Sequence, residues 1–140
     1  MEKPIQASGD YATGTQSSLQ ACLKLPFDKN SAFLIVNRSI NELNISNGYG
    51  CIINQAVSYE DPAICNNLND EFRDGCLSKT AIKTRNSSIC GLENSKILMR
   101  NCLAVIAIDT KDASICEKIE PYEGSDKLRL NCLSAIANNT

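Results

Sequence analysis

Apolar positions recur at helical spacing along most of this chain. Leu98, Cys102 and Ile106 stand at i, i+4 and i+8, and Leu128, Cys132 and Ile136 repeat the pattern. Leu103 and Ala107 widen the first stripe, and Leu133 and Ala137 widen the second. Phe72 and Cys76 begin an equivalent stripe. Phe33, Val36, Ile40 and Leu43 fall at i, i+3, i+7 and i+10 and predict a further helix, which Asn47-Gly48 is expected to end. No segment alternates with period two for long enough to predict a strand. The punctuation between stripes is also helical in kind. Asp61-Pro62 reads as an N-cap followed by proline at the first helical position, with Asn86 and Asp112 as the matching caps further on. Asn94-Ser95 and Pro121-Tyr122-Glu123-Gly124-Ser125 read as turns.

Self-comparison organises these elements. Cys65, Cys90 and Cys116 each follow an isoleucine, and each stands four residues after a capping residue, Asp61, Asn86 or Asp112. Cys51, Cys76, Cys102 and Cys132 are each followed by Ile or Leu, with Ala56, Ala81, Ala107 or Ala137 five residues on. The two kinds of half alternate, and Cys22, with Ser18 four residues before it, opens the series as a weaker example of the first kind. From a cysteine of the second kind to the next of the first, the step is constant: 51 to 65, 76 to 90 and 102 to 116 are all 14 residues. Inside a pair the step varies, with 22 to 51 and 116 to 132 the longest. A constant step predicts a rigid junction between hairpins, and a variable one predicts loops of different length within them.

The fold class expected is therefore all-α: stacked, disulfide-stapled helical hairpins forming a short α-solenoid, with an irregular N-terminal helical cap. The hairpins span about 18–56, 61–81, 86–107 and 112–137, within a single domain over 15–140. Residues 1–14, rich in Pro, Gly, Ser and Thr without periodicity, are expected to form a flexible tail. The first helix of each hairpin is expected to be about two turns long, which is marginal in isolation. The alanine five residues after each second cysteine is expected to let neighbouring helices approach closely.

Eight cysteines spread through 140 residues that contain no histidine read as a disulfide framework rather than a metal site. Their closest pair, Cys65 and Cys76, is too far apart in sequence for C-x-x-C ligation. Pairing across the constant junctions uses six cysteines and strands Cys22 with Cys132. Pairing within hairpins uses all eight: Cys22–Cys51, Cys65–Cys76, Cys90–Cys102 and Cys116–Cys132. Disulfides imply an oxidising address, so the chain is expected to be secreted, periplasmic or on a cell surface. Met1-Glu2-Lys3-Pro4 leads into no apolar signal core, so an export signal is expected to have been lost and Met1 to be a cloning start. The 15 asparagines argue against a hyperthermophile cytosol, the other place where disulfides persist.

Composition narrows the chemistry. With 14 basic and 16 acidic residues the net charge is −2, which gives no footprint for nucleic acid or an anionic membrane. The most apolar run, Phe33-Leu34-Ile35-Val36, is far too short for a membrane span. The absence of histidine removes the commonest general base and the commonest transition-metal ligand. No catalytic residue, cofactor or metal site is expected. The acidic groups Glu60-Asp61, Asp70-Glu71-Asp74 and Glu117, Glu120 and Glu123 contain no calcium-loop motif. Asp61 and Asp70 are read as helix caps and the others as solvated helix faces. Of four sequons, at Asn37, Asn44, Asn86 and Asn138, the one at Asn86 is better explained as a cap.

The pattern Asp61…Cys65…Cys76-Leu77…Ala81, Asn86…Cys90…Cys102-Leu103…Ala107, Asp112…Cys116…Cys132-Leu133…Ala137 resembles that of exported or lipoprotein-like cysteine-rich α-helical repeat proteins of archaea and bacteria, over residues 48–140. The resemblance implies a surface binding or scaffolding role and brings no catalytic residues. The function expected is an exported binding or scaffold module whose partner is a protein in the cell envelope or outside the cell. The alternative is a small secreted enzyme or enzyme inhibitor using loop carboxylates. The binding candidates are Phe33 in the N-terminal insertion and Glu117, Glu120 and Tyr122 in the long loop of the last hairpin, where the frame varies most.

Overall fold

Every regular element among residues 19–28, 47–121 and 126–138, those described by the computed structural model, is helical. After helical residues 19–23 come α1 (Gly48–Ser58), a 3-10 helix (Pro62–Asn67), α2 (Asp70–Thr84), α3 (Ser87–Cys90), α4 (Lys96–Thr110), α5 (Ala113–Cys116) and α6 (Lys127–Asn138). The tail over 1–14, the helix predicted over Phe33–Leu43 and the sequons Asn37 and Asn44 lie outside the described residues. Four disulfides join Cys22 to Cys51, Cys65 to Cys76, Cys90 to Cys102 and Cys116 to Cys132, each within one hairpin, with Cα atoms 5.4 to 5.8 Å apart. The chain forms two compact units that meet inside α2, Met1–Cys76 and Leu77–Thr140.

The first unit is organised around α1. Asn47, expected to end a preceding helix, starts this one: its side chain accepts a hydrogen bond from the Tyr49 N–H at 3.0 Å. An Asn-Gly pair suits either end of a helix, and here the asparagine oxygen meets an otherwise orphaned N–H. Residues 26–28 lie across this end. The Gly48 N–H donates to the Pro26 carbonyl at 2.8 Å and Asn47 Nδ2 donates to the Asp28 carbonyl at 3.0 Å. A Cβ on Gly48 would stand 2.5 Å from the Phe27 ring, so glycine is what admits the ring there. Phe27 meets Tyr49 edge-on with centroids 4.9 Å apart, and Tyr49 packs on Phe72 at 4.2 Å. Ile52, Ile53, Ile64 and the Cys65–Cys76 bridge complete the core of this unit.

In the second unit α4 is central, packing against α3, α5 and α6. Its core is Leu77, Ile89, Leu103, Ile106, Ile115, Ile119 and Ile136 with two disulfides. The predicted stripes are the buried ones, with Cys102, Ile106, Cys132 and Ile136 all inside, and Leu98 and Leu128 half-buried. The 3-10 helix Pro62–Asn67 has the predicted two turns, whereas α3 and α5 are shorter than predicted, each a single turn closed by i→i−3 bonds such as Leu92 N–H to Ile89 and Ile119 N–H to Cys116. The chain must leave for the next long helix at that point, and the disulfide already fixes its place.

The constant 14-residue step has a structural cause. The residues before the three caps, Glu60, Arg85 and Lys111, are left-handed, with φ of 52°, 55° and 57°. Their N–H groups donate to Val57, Ile82 and Ile108, at 3.2, 3.3 and 3.3 Å. The N–H groups of Asp61, Asn86 and Asp112 donate back to Ala56, Ala81 and Ala107, at 2.9, 3.0 and 2.9 Å. This is the Schellman pair of bonds. Each capping side chain then accepts the N–H two residues on, from Ala63, Ser88 or Ser114, at 3.0, 3.1 and 3.0 Å. The same residue thus closes one helix with its backbone and opens the next with its side chain, which leaves no room for insertion. Thr84 and Thr110 add hydroxyl bonds to the Thr80 and Ile106 carbonyls, at 2.9 and 2.7 Å.

A side chain in the left-handed region carries a steric penalty that glycine escapes, although glycine loses more backbone entropy on folding. Lys111→Gly should therefore raise the unfolding free energy by about 0.5–1 kcal/mol, seen as a higher urea midpoint at unchanged slope. A lower midpoint would mean that the lysine side chain, rather than the backbone turn, holds this junction.

Candidate functional site

The long loop of the last hairpin leaves α5 at Glu117, whose N–H caps that helix by donating to the Ala113 carbonyl at 3.2 Å while its side chain is exposed. Ile119 is buried and its carbonyl is held by Arg129 of α6, which donates from Nε at 2.9 Å and Nη2 at 2.6 Å. This forked contact fixes the loop against the helix. A cleft of about 450 Å³ opens beside it, with Ile97 and Asn101 of α4 on one side, Lys127 and Leu128 of α6 on the other, and Glu120 and Pro121 at the loop. Buried Arg100 and Ile119 also line it.

Its charges are mixed. Glu120 lies 4.0 Å from Lys96, both well exposed, and Asp126 lies 3.7 Å from Arg129. The exposed Lys96–Glu120 pair contributes little to stability, on the order of 0–1 kcal/mol, and is available to a partner. Of the binding candidates, Glu117 and Glu120 belong to this loop, with Glu120 in the cleft, whereas Phe33 and Tyr122 lie outside the described residues.

Two acidic residues depart from the solvated or capping roles expected of them. Asp74 is buried, with its carboxylate 3.7 Å from the Arg73 guanidinium. The helix stripe hid this, because the position falls at the edge of the apolar face. Asp70 begins α2, but the cap is Asn69, whose Oδ1 accepts the Phe72 N–H at 3.5 Å and whose carbonyl accepts the Arg73 N–H at 2.7 Å. Asn86 caps α3 as expected, and Asn138 ends α6 in an exposed position.

Glu93 was not singled out in the sequence. It is 6% exposed, and its Oε2 accepts the Ser78 hydroxyl at 2.9 Å. The signal was present. Three residues after the first cysteine of each hairpin stand Leu25, Leu68 and Ile119, and only Glu93 breaks this apolar series. Ligand-type atoms of Cys90, Glu93 and Cys102 lie within 4.8 Å of one another, the arrangement of a small metal site. The two sulfurs are bonded to each other, however, and a disulfide offers no thiolate to a metal. The geometry is that of a buried carboxylate beside a disulfide.

One junction residue has a shifted acidity. The Ser114 hydroxyl donates to Asp112 Oδ1 at 2.5 Å, and the Ser114 N–H donates to the same oxygen. These bonds, the hydroxyl first, hold the Asp112 carboxyl below its ordinary value, and Lys118 adds to the effect. A carboxyl lowered in the folded state favours folding above its ordinary pKa, and that contribution is lost as pH falls through the folded value. Titration of Asp112 by NMR should give a midpoint below the ordinary carboxylate range, and Ser114→Ala should move it upward. An unchanged midpoint in Ser114→Ala would remove the hydroxyl as the cause.

The described residues contain no helix long and apolar enough to cross a membrane, and the four disulfides point to an oxidising environment. No family model, no curated protein and no solved structure matches the chain.

Proposed function

We propose that this chain is an exported binding or scaffold module, secreted, periplasmic or on a cell surface, that presents a helical repeat surface to a protein partner. The observation that carries the reading is the contrast between frame and loop. Three junctions share one set of hydrogen bonds, while the sequence separation of paired cysteines varies from 11 to 29. A rigid frame with variable loops is how repeat proteins offer contact surfaces without disturbing their cores. The likeness to exported cysteine-rich helical repeat proteins belongs to the same proposal.

The loop after α5 is the contact region in this reading. It is clamped through Arg129 to the Ile119 carbonyl, carries exposed Glu117 and Glu120, and borders the cleft. The cleft acids each stand near a cation, which suits a polar recognition surface better than the facing carboxylate pair of a hydrolase.

The test is capture from an envelope or secreted extract with the full, oxidised chain as bait, followed by affinity measurement on the identified partner. The double charge reversal Glu117→Lys, Glu120→Lys should weaken binding about tenfold through lost charge complementarity, with far-UV circular dichroism unchanged. Undiminished binding would move the contact region from this loop to the helical faces.

A further inference from the structure

Glu93 and Ser78 form a polar pair where the rest of the frame carries apolar ones. Ser78 stands two residues after Cys76, and Glu93 three after Cys90. At the same steps the other two junctions carry Ile53 with Leu68, and Ala104 with Ile119, all four buried. A carboxylate at such a position costs desolvation energy that leucine or isoleucine does not. The Ser78 hydroxyl, donating to Glu93 Oε2 at 2.9 Å, offsets part of it and orients the group. The turn from Cys90 is closed by the Glu93 N–H donating to the Cys90 carbonyl at 3.1 Å, which sets the carboxylate beside the bridge. Ligand-type atoms of Cys90, Glu93 and Cys102 lie within 4.8 Å of one another, and all three residues are buried. Among the described residues no other bridge has a carboxylate so placed.

We propose that Cys90, Glu93 and Cys102 form a redox-gated site for a thiophilic divalent cation of the zinc type, closed while the bridge is intact and opened by its reduction. Two molecules of a small thiol reduce the Cys90–Cys102 bond. They leave joined as their own disulfide, and their two electrons and two protons end on the cysteine sulfurs. The cation then displaces both thiol protons to solvent and binds two thiolates and the Glu93 carboxylate. Oxidation by a small disulfide reverses this: the sulfurs rejoin, the two thiolates of the oxidant are released to take up protons, and the cation leaves. Two sulfurs and one carboxylate, with no histidine in the chain, suit zinc rather than calcium or magnesium, which take oxygen ligands. Three protein ligands leave the fourth tetrahedral position open. Ser78 is the positioning residue, holding one carboxylate oxygen as groups behind a metal ligand do. The proposal does not depend on the partner-binding reading.

Site-resolved alkylation of the full chain tests it. The chain is reduced with a phosphine, which supplies the same two electrons per bridge and leaves as its oxide. It is then alkylated briefly with and without Zn2+, and each cysteine is followed by peptide mass mapping. Zinc should protect Cys90 and Cys102 about tenfold more than the other cysteines. Glu93→Leu places at this step the residue found at Leu68, so the oxidised variant should keep its helicity, yet zinc protection of Cys90 and Cys102 should be lost. Glu93→Gln keeps the shape of the side chain and removes its charge, and it should weaken protection about tenfold. Absence of protection, equal protection of all eight cysteines, or protection that survives both substitutions would overturn the proposal.

Discussion

The fold rests on disulfides that each tie a short helix to a long one, the short helix being a single turn in α3 and α5. Ser87–Cys90 and Ala113–Cys116 are four residues each, less than the length at which helix propagation repays nucleation. Each is held at its start by an Asn or Asp cap and at its end by a buried half-cystine. The bridges close loops of 11 to 29 residues, and in the chain-entropy account a link of that size contributes about 3 kcal/mol by restricting the unfolded chain. With no tryptophan and 5% aromatic residues, the core is built from Ile, Leu, Ala and cystine, and the bridges supply constraint where apolar bulk is thin.

The junctions follow from the same economy of length. A hairpin whose first helix is one turn long has little surface with which to set its angle to the previous hairpin. The backbone sets the angle instead. A left-handed residue, two Schellman bonds and an Asx cap are compressed into consecutive positions, so that Asp61, Asn86 and Asp112 each serve two helices. The alanines at Ala56, Ala81 and Ala107 are fully buried, as close approach requires, and their carbonyls receive the returning N–H. Ala137, in α6, is exposed.

Much of this was legible from the residues. Asp61-Pro62, the alternation of Ile-Cys with Cys-Leu and the 14-residue step are local signals, and local signals survive into structure because a few neighbouring residues decide them. What escaped depended on partners distant in sequence or on choices between near-equivalent caps. Asn47-Gly48 reads as a stop until Pro26 and Asp28 are seen bonded to it. Asn69 and Asp70 are both capping types one residue apart, and only backbone geometry separates them. The burial of Asp74 and Glu93 is a tertiary outcome, although Glu93 betrayed itself by standing where Leu25, Leu68 and Ile119 stand in other hairpins. For the candidate site, the 116–132 loop is legible as one of the two largest departures from the frame, beside the 22–51 insertion. The cleft beside it is not, because its walls come from two helices whose packing no single segment encodes.

The central claim is that every bridge lies within a hairpin, and peptide mapping of the unreduced protein tests it most directly. Trypsin alone leaves Cys51 and Cys65 on one fragment, so a second protease cutting at Glu60 or Asp61 is needed to separate them. The account predicts linked fragments containing Cys22 with Cys51, Cys65 with Cys76, Cys90 with Cys102 and Cys116 with Cys132. A fragment joining Cys51 to Cys65, or Cys76 to Cys90, would place the bridges across the junctions and contradict it.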